Sequence, residues 1–157
     1  MTMNKNDVIA ALIQHIEAKL EKAIQEKAEL LAASSEANRD IIEQSQDRVI
    51  ARWQRFLADA RGFKRHPGFS TPAVAEGSLV QLAVKMGGET DFKTHWWLVF
   101  PGRQVFTRFI FDGRDIEVNS GQMEYASIVD MKVGDELEVA TDGRAFPGCR
   151  LKLLSIL

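Results

Sequence analysis

The chain has 157 residues, of which 45% are hydrophobic and 27% are charged, and its formal net charge is −2 at pH 7. This composition is typical of a soluble globular protein with one ordinary domain or two small ones. It excludes a globally basic protein that is drawn to nucleic acid by its net charge. The single cysteine, Cys149, excludes an intramolecular disulfide and favours a reducing compartment.

The first 60 residues predict two amphipathic helices. From about Asp7 to Ala33, apolar residues recur every three or four positions, apart from one gap at Lys27, and Asn6 is expected to cap this helix. A second helix is predicted from about Arg39 to Ala60. Each stripe needs a partner, and pairing the two as an antiparallel coiled coil is the simplest solution. The stripes consist of Ile9, Ile13, Ile16, Leu20, Ile24 and Leu31 in the first helix, and Ile42, Val49, Trp53, Phe56 and Leu57 in the second.

The segment 34–38, between the two helices, is expected to be the tip of a hairpin roughly 40 Å long. Its serines and asparagine are residues that cap helices and form turns. It contains neither glycine nor proline, so a single unbroken helix and an intermolecular coiled coil remain an alternative. The strongest chemical candidates are the carboxylates near this tip, Glu36, Asp40 and Glu43.

The second half of the chain predicts a small sheet. Residues 61–75 contain two glycines and two prolines and are expected to form a linker. From residue 76 to 157 the hydrophobic period changes to two, which predicts an antiparallel sheet with one short helix, and hence an α+β protein. The strands are expected at 79–86, 94–100, 105–111, 116–119, 136–140 and 150–157, with a short helix or an irregular crossover at 120–130.

Adjacent tryptophans mark one of these strands. Trp96 and Trp97 must face opposite sides of the sheet. One is therefore expected to pack in the core, and the other to face a groove, a partner or the helical hairpin, which we also call the finger. Ser120 and Met123 are also predicted to contact a partner.

Motifs of self-contained enzymes are absent from the sequence. It has no phosphate-binding glycine loop, no paired cysteines and no zinc-protease or hydrolase signature, so neither an enzyme nor a cofactor of its own is expected. The polar start predicts no signal peptide, and no apolar run approaches the roughly 20 residues that span a bilayer. A cytoplasmic location and no contact with a membrane are therefore expected.

Several short motifs resemble those of the bacterial Gre transcription elongation factors. The resemblance covers nearly the whole chain, with some departures. Gly121 follows Ser120 where the family usually has proline, and Asp130 stands where it usually has glycine. The segment Val105 to Asp115 is longer than in the family, and Ile41 and Ile42 are apolar where an exposed tip favours polar residues. The motifs are Glu76-Gly77-Ser78-Leu79-Val80, Ile116-Glu117-Val118-Asn119-Ser120, Ala126, Lys132-Val133-Gly134-Asp135-Glu136-Leu137-Glu138-Val139 and, at the tip, Asp40-Ile41-Ile42-Glu43.

This resemblance implies a fold and a function. The sheet half would fold like an FK506-binding protein, without isomerase activity. The finger of a monomeric factor would enter the secondary channel of RNA polymerase, close to RNA and DNA, and promote cleavage of backtracked transcripts. Asp40 and Glu43, with Glu36 as a substitute, would help to hold a Mg²⁺ shared with the polymerase, since this ion needs only one or two protein carboxylates when a partner supplies other ligands.

Two other interpretations remain open. Asp40 and Glu43 also suit the positive end of a helix dipole, in which case the protein would occupy the channel as a regulator without promoting cleavage. Alternatively, the chain would be an adaptor whose finger binds another protein and whose exposed tryptophan marks the interface.

Overall fold

The computed structural model describes residues 3–65, 72–100, 107–123, 126–139 and 148–157. The chain divides into two compact units, Met1–Pro67 and Gly68–Leu157. The first is a helical hairpin, and the second is built on a six-stranded sheet. The predicted α+β class, a helical hairpin followed by a mostly antiparallel sheet, is confirmed.

Helix α1 spans Lys5–Ala33 and begins two residues earlier than predicted. Asn4 caps it in place of Asn6: the Asn4 side-chain oxygen accepts a hydrogen bond from the backbone N–H of Asn6 at 2.9 Å. This bond satisfies one of the N–H groups that a helix start leaves without a partner. Asp7 lies in the first turn, where a negative charge stabilises the helix dipole.

The buried stripe of α1 is rotated from the predicted one. Ala23 is 5% exposed, whereas Ile24 is 50% exposed, so the assignment of Ile24 to the stripe is wrong. Lys27 lies one turn after Ala23, is partly buried, and reaches Asp47 of the second helix. The apparent gap at Lys27 is therefore a position on the stripe that a lysine fills.

Helix α2 spans Arg39–Arg65 and runs five residues into the predicted linker. A 3₁₀ turn, Glu36–Asn38, separates it from α1, so the alternative of one unbroken helix is wrong. The two helices instead contact each other as an antiparallel pair. Residues 66–71 of the predicted linker lie outside the described residues.

The strands of the second unit are β1 Leu79–Met86, β2 Lys93–Val99, β3 Thr107–Phe111, β4 Arg114–Asn119, β5 Gln122–Met123, β6 Ala126–Ser127, β7 Glu136–Val139 and β8 Cys149–Ile156. Predicted strand residues 105, 106 and 140 lie outside the described residues.

The main sheet has the strand order β3-β4-β2-β1-β8-β7. Strands β2 and β4 run parallel, and the other neighbours in this sheet run antiparallel. The expectation of an antiparallel sheet is therefore wrong at this one pair.

The segment after β4 is an irregular crossover, and the predicted short helix is wrong for the described part of residues 120–130. The short strands β5 and β6 pair with each other there. Gly121 and Asp130 both have φ of +73°, a left-handed conformation that is incompatible with a continuous right-handed helix.

One face of the main sheet carries a continuous apolar core. Cys149 belongs to it, and burial raises the pKa of its thiol, as expected for an inert buried cysteine. In the described part of the chain, no helix is long and apolar enough to cross a membrane. The core consists of Val74, Val80, Leu82, Val84, Val99, Ile128, Val139, Cys149, Leu151 and Leu153.

Candidate functional site

The hairpin reverses direction through a short, well-defined turn. Ser34 ends α1, and both its backbone N–H and its hydroxyl donate to the Leu31 carbonyl, at 3.4 and 3.0 Å. The Asn38 N–H then donates to the Ser35 carbonyl at 3.1 Å, which closes the 3₁₀ turn before α2 begins. Serine and asparagine therefore make the reversal without glycine or proline.

Three carboxylates surround this turn, and all three are exposed. Glu36 lies in the 3₁₀ turn, Asp40 lies in the first turn of α2, and Glu43 follows three residues later. That spacing places Asp40 and Glu43 on neighbouring turns of one helix side, with β-carbons roughly 5–6 Å apart. Since the described residues contain no cluster of three or more metal-ligating side chains, a cation at this tip would need further ligands from a partner.

The tip also carries exposed apolar surface. Ile41, between the two carboxylates, is 69% exposed, whereas Ile42 is partly buried on the inner stripe. Leu30, close to the reversal on α1, is 44% exposed. Exposed isoleucine and leucine side chains at the end of a hairpin are suited to contact with a protein surface.

An ion pair joins the two helices behind the tip. The Lys27 ammonium lies 2.6 Å from a carboxylate oxygen of Asp47, one turn after Glu43. The hydrogen bond to Asp47 raises the pKa of Lys27, and the charges of Asp47 and Glu43 add to this effect. Sequence reasoning missed Asp47, because its partner Lys27 lies on the other helix and no local pattern marks the pair.

The hairpin segregates its charges onto two sides. Glu17 of α1 and Arg61 of α2 form an ion pair at 3.3 Å, so both residues lie on the same side of the hairpin. At about 100° per residue, Glu43 and Asp47 lie on this same side. The opposite side of the distal hairpin is basic on α2, whereas its α1 half carries Glu26 and Glu29 beside two lysines. Its cations are Lys19, Lys22, Arg48, Arg52 and Arg55, of which Lys22 pairs with Glu26.

The basic side contains a shallow groove on α2. Its volume is about 350 Å³, with Ile41 at its tip end and Val49, Arg48 and Arg52 along it. Arg48, Arg52 and Arg55 form no ion pair with any described residue. This surface offers uncompensated positive charge beside apolar contacts, which suits a polyanionic surface.

The tryptophan pair behaves as predicted. Trp97 pairs with Val80 and packs against the sheet core, and its indole Nε1 is buried without a hydrogen-bond partner among the described residues. Trp96 pairs with Gln81 on the other face and lines an open groove of about 520 Å³. The guanidinium of Arg114 lies 5.8 Å from the centre of the Trp96 ring, a cation–π distance.

The other two predicted contact residues are not brought to this groove by any described contact. Ser120 is partly buried, and its hydroxyl accepts a hydrogen bond from the Gln122 N–H at 3.4 Å in the turn before β5. It is not among the residues that line the Trp96 groove. Met123 lies in β5, but its side chain is outside the described part of the structure.

Comparisons with known proteins give matches only at the level of solved structures. No protein-family model matches the sequence, and no curated protein matches it. GreA factor homolog 1 (Gfh1) of Thermus thermophilus is similar at 15% identity over 97% of this chain and 94% of that one, with a TM-score of 0.37. A second structure, described as the transcription factor Gfh1, is 14% identical over 99% and 95% of the two chains, with a TM-score of 0.38. We base the proposed function on the hairpin itself.

Proposed function

We propose that the protein is a Gre-like transcription elongation factor that inserts its hairpin tip into the secondary channel of RNA polymerase and promotes cleavage of backtracked transcripts. The observation that carries this proposal is the exposure of Glu36, Asp40 and Glu43 at the reversal of two long antiparallel helices. A slender hairpin of roughly 40 Å reaches into a channel that a globular domain cannot enter.

The donor set at the tip fits Mg²⁺ shared with a partner. Carboxylate oxygens are the ligands this ion prefers, and two from the finger suffice when the polymerase supplies the others. When bound, Mg²⁺ stabilises charge on the attacking and leaving oxygens of a phosphodiester. Asp40 and Glu43 would hold the ion or orient its water, Glu36 is the substitute candidate, and the protein would have no enzymatic activity of its own.

The basic side of the hairpin suits a polyanionic environment. Arg48, Arg52 and Arg55 form no ion pair within the described part of the chain, and their charge suits an elongation complex that contains RNA and DNA phosphates. In the second unit, the groove beside Trp96 and Arg114 is the proposed contact with the polymerase surface.

A second candidate function is occupation of the channel without cleavage. Ile41 favours it, because a side chain 69% exposed between the two carboxylates suits a protein contact better than a hydrated metal site. Asp40 would then serve mainly to stabilise the start of α2. Both candidates require the same partner and the same inserted tip.

Binding to bacterial core RNA polymerase, measured by biolayer interferometry with the full chain immobilised, tests both candidates. We expect saturable binding that weakens at least roughly threefold in the double variant Arg48→Gln/Arg52→Gln. Arg150→Gln is the matched control, because Arg150 pairs with Glu138 on the sheet and lies outside the hairpin. Absence of saturable binding by the wild-type chain would remove the proposal.

A further inference from the structure

Lys27 is the one cation of the described residues that ties the two helices together immediately behind the tip. It occupies a stripe position of α1, its side chain is 25% exposed, and its ammonium lies 2.6 Å from Asp47 of α2. A lysine at an inner position of a helix pair costs packing relative to an apolar residue. The ion pair with Asp47 across the two helices offsets part of this cost.

A second carboxylate lies one helical turn before Asp47 on α2. Glu43 precedes Asp47 by four residues, so the two side chains are neighbours on the surface of α2. Both carboxylates favour the charged form of Lys27, with the hydrogen bond to Asp47 as the largest cause of its raised pKa. The Lys27 ammonium is hydrogen-bonded to Asp47, and Glu43 lies one turn nearer the tip on the same side of α2.

We propose that Lys27 is a positioning residue for the tip. Its ammonium partly offsets the negative charges of both Asp47 and Glu43, and it thereby sets how strongly the tip attracts a divalent cation. This inference rests on the proposed function, in which Glu43 helps to hold Mg²⁺. Removing Lys27 leaves Glu43 uncompensated, so the tip attracts cations more strongly. Removing the Asp47 charge frees the ammonium to move toward Glu43, so the tip attracts them less.

Opposite signs separate this role from a merely structural one. Lys27→Met keeps the unbranched stem on the stripe, and Asp47→Asn keeps the shape of the side chain. Both variants delete the same cross-helix ion pair, so loosening of the hairpin would shift cation binding in the same direction in each. If Lys27 offsets both carboxylates, the tip should attract a divalent cation more strongly in Lys27→Met and less strongly in Asp47→Asn.

Paramagnetic broadening by Mn²⁺ on the isolated chain measures the effect without polymerase. We follow the backbone amide signals of residues 39–44 and determine the Mn²⁺ concentration that halves them. This concentration should fall about two- to fivefold in Lys27→Met and rise by a similar factor in Asp47→Asn, as expected for exposed charges. Lys27→Arg should restore the wild-type value, and Lys22→Met, which loses only the pair with Glu26, should leave it unchanged.

The outcomes distinguish this inference from the proposed function. Shifts of opposite sign support the role of Lys27 even if the protein fails to bind polymerase, which would remove the proposed function alone. Shifts of equal sign, or no broadening of residues 39–44 in any variant, would overturn the role of Lys27. Should cleavage be observed, the Mg²⁺ concentration for half-maximal cleavage should move in the same two directions.

Discussion

Ala23 is buried on the inner stripe of α1, while its neighbour Ile24 is 50% exposed. The larger and more hydrophobic residue of the pair therefore points away from the second helix. Beyond Ile16, Ala23 is the one buried residue that the structure describes in α1, and Lys27 occupies the next turn of the stripe. This part of the hairpin depends less on apolar burial than its base does.

Substitutions at these two neighbours should have unequal effects on stability. Ala23→Gln forces a longer polar side chain into a closed position and should cost about 1–3 kcal/mol. Ile24→Gln should change stability by no more than about 0.5 kcal/mol. Urea unfolding followed by circular dichroism at 222 nm measures both. Equal losses would contradict the observed phase of the stripe.

Substitutions at Asp130 and Gly121 should change the stability of the sheet unit in opposite directions. Asp130 has φ of +73°, where glycine is favoured, and its N–H bond to the Val74 carbonyl at 2.8 Å survives substitution. Asp130→Gly should therefore stabilise the sheet unit by up to about 1 kcal/mol. Gly121→Ala should cost about 1–3 kcal/mol, because φ is again +73°. Its new β-carbon would also lie 3.1 Å from Ile128.

Differential scanning calorimetry measures both variants, since about 1 kcal/mol shifts the melting temperature of a unit of this size by roughly 4–8 °C. A lower melting temperature for Asp130→Gly would contradict the left-handed backbone at Asp130. A proline would not fit at Gly121, because proline is restricted to φ near −65°.

Trp96 should matter for binding more than for folding. Its ring lines an open groove and stacks with Arg114, so Trp96→Ala should weaken polymerase binding at least roughly tenfold. Arg114→Gln should have a smaller effect in the same direction. Ile110→Ala is the control, because Ile110 is 74% exposed and lies outside the groove. Unchanged affinity of Trp96→Ala in the interferometry assay would exclude the groove from the interface.

Glu89 predicts a pH dependence of the sheet unit. Its carboxylate accepts hydrogen bonds from the Met86 N–H at 3.1 Å and from the Lys93 ammonium at 3.2 Å. The bond from Met86, followed by that from Lys93, lowers the pKa of Glu89 below its ordinary value of 4.5. Because the pKa is lowered on folding, the Glu89 carboxylate stabilises the folded protein above pH 4.5. This stabilisation is lost as the pH falls through the pKa of Glu89 in the folded protein.

Thermal melts between pH 6 and pH 3 measure this contribution of Glu89. The difference in melting temperature between wild type and Glu89→Gln should shrink as the pH falls. Glu138→Gln serves as the control, since the bond that Glu138 accepts within the described residues comes from a side chain, that of Arg150. A difference that stays constant over this range would contradict the role of the Glu89 carboxylate.

Much of the hairpin was predictable from the sequence, because a helix stripe and a polar turn are local signals. The stripe was misplaced at Ile24 because periodicity alone ranks isoleucine above alanine and lysine, whereas the contact with Asp47 places Lys27 inside. The parallel pairing of β2 and β4 was missed, since strand order depends on long-range contacts. For residues 120–130 the sequence left a short helix and an irregular crossover as alternatives, because no local signal shows that Asp130 adopts a positive φ.

The exposure of Glu36, Asp40 and Glu43 near the helix reversal was predictable because polar turn residues and helix ends have a local pattern, whereas their role stays a prediction. Asp47 was missed, since its importance comes only from Lys27 on the other helix. The FK506-binding-protein-like character of the sheet unit stays a prediction.

Transcript cleavage in stalled, backtracked elongation complexes with Mg²⁺ tests the central claim most directly. Wild type is compared with Asp40→Ala and Glu43→Ala, with polymerase binding measured in parallel and Glu29→Ala as an exposed acidic control on α1. We predict that wild type stimulates cleavage, that each tip variant loses at least roughly tenfold while binding survives, and that Glu29→Ala is unchanged. Binding without stimulation, or stimulation that neither tip substitution alters, would contradict the account.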